Sequence, residues 1–153
     1  MPISTHQVRP FDSAQQALAF ITAGRAHFTL VSKQTGKRYT YRVARPQPRD
    51  GEKAGTGPLL AAVLYGQDNG SDYRYAGVVS PAGELRRTAK SKLNCDDPRF
   101  AGLQWALGNM AAGRIPDQLE VWHEGRCGRC ARRLTDPTSL AIGLGPECAG
   151  RAA

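Results

Sequence analysis

Apolar positions along the first half of the chain change from a helical period to a strand period. Ala14, Ala17, Leu18, Phe20 and Ile21 fall on one side of a helical projection, which predicts a helix over residues 12–23. Asp12 or Ser13 can cap it, Gln15 and Gln16 stand at the third helical positions, and Gly24 ends it. His27 to Val31 and Arg38 to Ala44 read as a hairpin turning at Gly36. In its second strand Tyr39, Tyr41 and Val43 alternate with Arg38, Thr40 and Arg42, so one face is apolar and the other basic. Residues 45–58 carry three prolines and three glycines and read as a loop. Leu59 to Tyr65, Tyr73 to Ser80 and Glu84 to Thr88 read as further strands joined by turns. Asp97 followed by Pro98 opens a second helix, with Phe100, Leu103, Trp105, Ala106, Leu107 and Met110 as its apolar set and Gly113 as its stop. Leu119 to Trp122 is a last short strand, and Asp136 can cap a short helix over 137–142.

Hairpins joined by short turns give antiparallel pairing, because parallel strands need long crossovers. The expected fold class is therefore α+β: an antiparallel sheet of four to five strands packed with two helices, plus a carboxy-terminal appendage. The expected division is a basic body over residues 1–118 and a tail over 119–153.

The tail holds the most specific motif. His123, Cys127, Cys130 and Cys148 follow the pattern H-x3-C-x2-C-x17-C. Two cysteines two residues apart can hold one ion from a single tight turn, a third arrives from a second turn, and one more donor completes a tetrahedron. Zinc favours such sulfur and nitrogen donors, and four protein ligands make a site structural rather than catalytic. One structural Zn2+ per chain is the expectation, with metal ligands His123, Cys127, Cys130 and Cys148. For the fourth position Cys95, a carboxylate such as Glu147, or water stand as alternatives to His123. A thioredoxin-like redox pair would open a helix of a βαβ unit, whereas Ala131-Arg132-Arg133-Leu134 begins no long helix. Disulfides need an oxidising compartment, and the first residues lack the pattern of a signal peptide.

The stretch from Cys127 through Leu134-Thr135-Asp136-Pro137 to Gly143-Leu144-Gly145-Pro146-Glu147-Cys148 resembles a small zinc-knuckle domain of unknown function found in bacteriophage and actinobacterial proteins. The resemblance covers about a fifth of the chain and departs from the family pattern at Ala131, where Gly is common. It implies a phage or prophage setting and nucleic-acid metabolism, sometimes through fusion to helicase-like enzymes, and no established activity.

Charge narrows the partner. The net charge is +8 over 153 residues, with 15 basic and 8 acidic side chains in residues 1–113 against 6 and 5 in the remainder. A positive field of this kind favours polyanions, above all nucleic acid. The basic residues expected to meet it are Arg38, Arg42, Arg45, Arg49, Lys53, Arg86, Arg87, Lys90 and Lys92, with the loop 45–53 and the segment 86–92 as two sides of a groove. Arg126, Arg129, Arg132 and Arg133 around the knuckle offer a second set of phosphate contacts. Tyr39, Tyr41, Tyr65, Tyr73 and Tyr75 can in principle stack bases, although Tyr39 and Tyr41 alternate with arginines and so face the core. His27 is expected to be structural or exposed.

No nucleophile–base pair, paired carboxylates or phosphate-binding glycine loop can be read from the sequence, so the expectation is a binding protein and not an enzyme. No apolar run approaches membrane-spanning length. Cysteines kept free for zinc suit a reduced interior, so a cytoplasmic location in a bacterial or phage-infected cell is the expectation. Two functions fit. The first is a phage-type nucleic-acid-binding accessory protein stapled by zinc. The second is a protein-binding inhibitor of a bacterial defence complex or other host nucleic-acid machinery, comparable to anti-CRISPR proteins. Its basic face would meet an acidic or nucleic-acid-binding host protein.

Overall fold

The computed structural model describes residues 10–46, 51, 57–65, 72–135 and 137–145. The elements run α1 (Ala14–Ile21), β1 (Arg25–Ser32), β2 (Arg38–Ala44), β3 (Leu59–Leu64), β4 (Tyr73–Val79), β5 (Leu85–Arg86), α2 (Pro98–Ala111), β6 (Leu119–His123) and α3 (Pro137–Ile142). The class is α+β, as the hairpin pattern requires. Among the described residues six strands form one antiparallel sheet in the order β5-β4-β3-β2-β1-β6, rather than the four or five expected. The difference arises at β6. It pairs with β1, Phe28 opposite His123 and Ser32 opposite Leu119, so the tail enters the body as one of its strands.

Local signals place the helices. Ser13 caps α1 by accepting the Gln16 amide, and Asp97 caps α2 by accepting the Arg99 amide with Pro98 at its start. Both helices lie on one face of the sheet and share its core. Phe20 and Ile21 of α1 and Phe100, Leu103, Leu107 and Met110 of α2 meet Phe28, Tyr41, Val43 and Val63 of the strands. Phe28 and Tyr41 are cross-strand partners and stack with ring centroids 5.6 Å apart. The Tyr41 hydroxyl donates to the Arg99 carbonyl at 2.7 Å, which ties the first turn of α2 to the middle of the sheet. Trp105, read as part of the apolar set of α2, is 44% exposed instead. Two residues beyond Leu103 is about 200° around a helix, which turns Trp105 away from the core.

Among the described residues the other sheet face carries no helix. Arg25 and His27 of β1, Arg42 and Ala44 of β2, Leu60 and Ala62 of β3, and Tyr73 and Tyr75 of β4 share it, as period-two alternation against the buried residues dictates. Register puts His27 opposite Arg42, Arg42 opposite Ala62, and Ala62 opposite Tyr75 in one row across four strands. A register shift between Ala61 and Ala62 leaves Ala76 as an extra residue of β4, and it is buried among the core residues.

The segment after β6 folds against α1. Gly128 and Gly143 both lie on Phe20: a Cβ at either would stand 2.6 and 2.5 Å from its ring, and at Gly128 also 2.7 Å from the Phe20 carbonyl oxygen. Main-chain bonds hold the same contact. The Gly128 amide donates to the Gly143 carbonyl at 2.9 Å, and the Arg25 amide donates to the Gly128 carbonyl at 2.6 Å. Cys127, Leu134, Leu140 and Leu144 form a second small core beneath, with Ala23 at its border. Among the described residues no helix is long and apolar enough to cross a membrane.

A cysteine knuckle beside a basic and aromatic cleft

Two features adjoin at the amino-terminal end of β1. The first is the Cys127–Cys130 turn. Arg126 and Arg133 form an antiparallel bridge, the Cys127 amide donates to the Arg132 carbonyl at 2.8 Å, and the Ala131 amide donates to the Cys127 carbonyl at 2.9 Å. The turn closes only because Ala131 adopts φ 66°, a left-handed conformation that costs a residue with a Cβ about 1–2 kcal/mol. A glycine at this position would adopt the same conformation without that cost.

The Cys127 sulfur is buried among N–H donors that favour its thiolate form. Burial pushes its pKa up, but hydrogen bonds from the Gly145, Cys130 and Arg129 amides and from the Cys130 thiol outweigh it and bring the value down to about 7. The Arg129 amide lies 3.4 Å from the sulfur. Cys127 and Cys130 are free thiols, and the pair sits in a hairpin turn rather than at the start of a helix. Cys148 lies outside the described residues. Among the described residues no three His, Cys, Asp or Glu side chains group as metal donors.

Both ring nitrogens of His123, the expected fourth ligand, meet backbone partners. The side chain is buried at 4% exposure among Phe11 and Phe20, each with its ring centroid 5.4 Å from the imidazole. The Gly125 amide donates to Nδ1 at 2.9 Å, and Nε2 stands 2.6 Å from the Leu140 carbonyl oxygen. Nδ1 is therefore the acceptor and Nε2–H the donor, and the single ring lone pair is engaged by the Gly125 amide. The imidazole clamps α3 to the loop that starts the knuckle. Cys95, the alternative fourth donor, is exposed just before α2. The Tyr65 hydroxyl at the end of β3 bonds Asp97, so Cys95 belongs to the end of the sheet away from the knuckle.

The second feature is a cleft of about 550 Å3 on the open sheet face. Arg25, His27, Arg42, Arg45, Tyr73 and Tyr75 stand in its lining, Ala44, Leu60 and Ala62 contribute small or apolar positions, and Ala131 of the knuckle borders it. The Arg42 guanidinium lies 4.5 Å from the Tyr73 ring centre, and His27 meets the same ring edge-on at 6.0 Å. Burial lowers the His27 pKa; Glu124 raises it and the neighbouring arginines lower it further. The Tyr73 hydroxyl is buried without a hydrogen-bond partner. Arg45 donates to the Gly57 carbonyl, which sets the rim.

The basic residues expected to meet a polyanion divide accordingly. Arg42 and Arg45 are in the cleft. Arg38 is exposed at the opposite end of β2. Arg86 is exposed and pairs with Glu84 at 3.0 Å, and Arg87 donates to the Leu93 carbonyl at 2.7 Å, holding its own loop. Lys90 and Lys92 are exposed on a segment that runs beside β4: the Lys92 amide donates to the Tyr75 carbonyl at 2.8 Å. Arg49 and Lys53 lie outside the described residues. Around the knuckle Arg126, Arg132 and Arg133 are exposed, while Arg129 is half-buried with its Nη1 unpartnered. Of the tyrosines, Tyr41 is fully buried, Tyr39 packs on the core, and Tyr65 is flanked by the Arg74 and Arg99 guanidinium groups at 4.3 Å each. Arg25 and His27 were missed as partners of Arg42. Their alternation with buried Ala26 and Phe28 was the available signal, because it puts them on the same face as Arg42 once β1 and β2 pair.

Residues 118–153 match a protein family described as "Family of unknown function (DUF6011)". No curated protein and no solved structure matches the chain.

Two outcomes follow from this geometry. Replacing Ala131 by Gly removes the left-handed strain and should stabilise the protein by about 1 kcal/mol, read as an increase in Tm. The His123 imidazole should appear in long-range 1H–15N spectra as the neutral Nε2–H tautomer, with burial holding its pKa below the usual 6.5. The unfolded chain then takes up a proton near pH 6.5 that the folded chain refuses, so this contribution to stability is present above pH 6.5 and is lost as pH falls towards the folded pKa.

Proposed function

We propose that this protein binds nucleic acid in the cleft on its open sheet face, beside a knuckle closed by one structural zinc ion. The observation that carries the reading is the joint lining of a single cleft by three arginines, a histidine and two tyrosines. Arg25, Arg42 and Arg45 come from two adjacent strands and the residue after them. They provide fixed positive charge for phosphates, while Tyr73 and Tyr75 provide ring surface. Lys92 follows the same strand edge, and the exposed arginines of the knuckle extend the positive field past Ala131.

Cys127 and Cys130, with Cys148 from the following turn, are the residues that would hold zinc. The N–H donors around the Cys127 sulfur favour the thiolate form that a metal ligand requires. With both ring nitrogens of His123 engaged and Cys95 at the other end of the sheet, the fourth donor is a carboxylate such as Glu147, or water. The ion supplies a cross-link that substitutes for the apolar area so short a tail cannot bury. The chain's own residues do the rest: Gly128 and Gly143 seat the knuckle on Phe20, and Ala131 forms one border of the cleft.

Two measurements test this. Binding to a labelled oligonucleotide should weaken linearly in log affinity with log salt, by about 2–3 log units per tenfold salt for three phosphates neutralised. Arg42→Ala should reduce that slope by about 1, and an affinity independent of salt would remove the reading. Metal analysis of the purified protein should give one zinc per chain, with Cys127→Ser, Cys130→Ser and Cys148→Ser each losing it. Full zinc in Cys148→Ser would show that the ligand set is wrong.

A further inference from the structure

The shape of the cleft says which form of nucleic acid enters it. We infer that it accepts a single strand, with one unpaired base laid on the ring of Tyr75 and the adjoining phosphates held by Arg25, Arg42 and Arg45. This rests on the nucleic-acid reading above and goes beyond it.

The two cleft tyrosines are not equivalent. Tyr73 already has the Arg42 guanidinium over its ring and His27 at its edge. Tyr75 has neither: among the described residues no ring or guanidinium covers it. Its cross-strand neighbour on β3 is Ala62, whose single methyl leaves the space beside the ring open. The ring is also held. Thr88 Oγ1 donates to the Tyr75 hydroxyl at 3.1 Å, and the Lys92 amide donates to its carbonyl at 2.8 Å. Next to it Ser91 Oγ donates to the Ala76 carbonyl at 2.7 Å. A ring held at its hydroxyl and at its backbone loses little freedom when a base stacks on it, which is the arrangement that gives affinity without new ordering cost.

The arginines lie across the cleft from this ring. Arg42 and Tyr75 share the row that runs through Ala62, so two strand spacings, about 10 Å, separate their backbones. Long side chains on one side and a planar ring on the other suit a nucleotide whose base and phosphate point apart. A cleft of about 550 Å3 falls within the range of sites for single small ligands and has room for a base and its sugar. A duplex offers no such group. Its bases are stacked inside, and proteins read it by inserting a helix or ribbon into the major groove. Here the surface is recessed, and among the described residues its lining comes from strands and the loops that flank them, with no helix to insert. The base must therefore come to the protein, as it does from unstacked single strands.

The test uses the full zinc-loaded chain and fluorescence anisotropy with three labelled probes of equal length: oligothymidylate, oligouridylate and a DNA duplex. The single strands should bind more tightly than the duplex. Tyr75→Ala should weaken single-strand binding about 5- to 150-fold and leave duplex binding unchanged. Tyr75→Phe keeps the ring and should bind nearly as well as the parent chain. If Tyr75→Ala fails to fold by circular dichroism, Tyr75→Leu replaces it, retaining apolar volume without a π face. Duplex binding equal to single-strand binding, with Tyr75 variants unaffected, would overturn this inference while leaving the phosphate-binding surface intact. No binding of any probe at low salt would overturn the nucleic-acid reading itself.

Discussion

Two glycines resting on one phenylalanine decide how the molecule is put together. Phe20 is fully buried, with its flank against Gly128 and Gly143 and its ring near Phe11 and His123. Any side chain on either glycine would lift the knuckle from α1. That would break the bond from the Arg25 amide to the Gly128 carbonyl and displace Ala131 from the edge of the cleft. Apolar packing at this point thus fixes the relation between the sulfur-bearing turn and the charged surface. Its importance is geometric, since the energy of one well-packed ring is only a few kcal/mol.

His123 reinforces the same joint in a polar way. An imidazole buried beside two phenylalanines survives because both nitrogens are satisfied, one by Gly125 and one by Leu140. It spans from the end of β6 to α3 and so joins the two ends of the tail segment. The arrangement separates labour within a short stretch: the histidine organises the backbone, and the cysteines remain free to act as sulfur donors.

Much of the fold could be read from the sequence because its signals are local. Ser13, Asp97 with Pro98, and the alternation in β2 each act within a turn or two of chain, and the corresponding elements lie where expected. What could not be read was long-range. Nothing in Leu119–His123 says that its partner is β1, and without that pairing the tail looks like an appendage. The spacing from His123 to Cys127 suits a ligand and a buried structural histidine equally, and nothing local announces the Leu140 carbonyl that α3 brings to the imidazole. Arg86 and Arg87 looked equivalent to Arg42 by charge, but one has an acidic neighbour and the other a carbonyl within its own loop. The cleft itself requires four strands in register, so the sequence could offer Arg42, Arg45, Tyr73 and Tyr75 as separate candidates but could not bring them together.

The pairing of β6 with β1 also bears on how the chain reaches its final form. β1 leaves a ribosome well before β6, so Phe28 must wait for His123 before its outer neighbour exists. Until then one side of the first hairpin presents bare amides and carbonyls, the kind of margin to which a foreign strand can add. Synthesis proceeds at about 5–20 residues per second, so that exposure lasts seconds rather than milliseconds. Truncation anywhere before Leu119 would make it permanent, and aggregation rather than a smaller working protein is the natural fate of such a fragment.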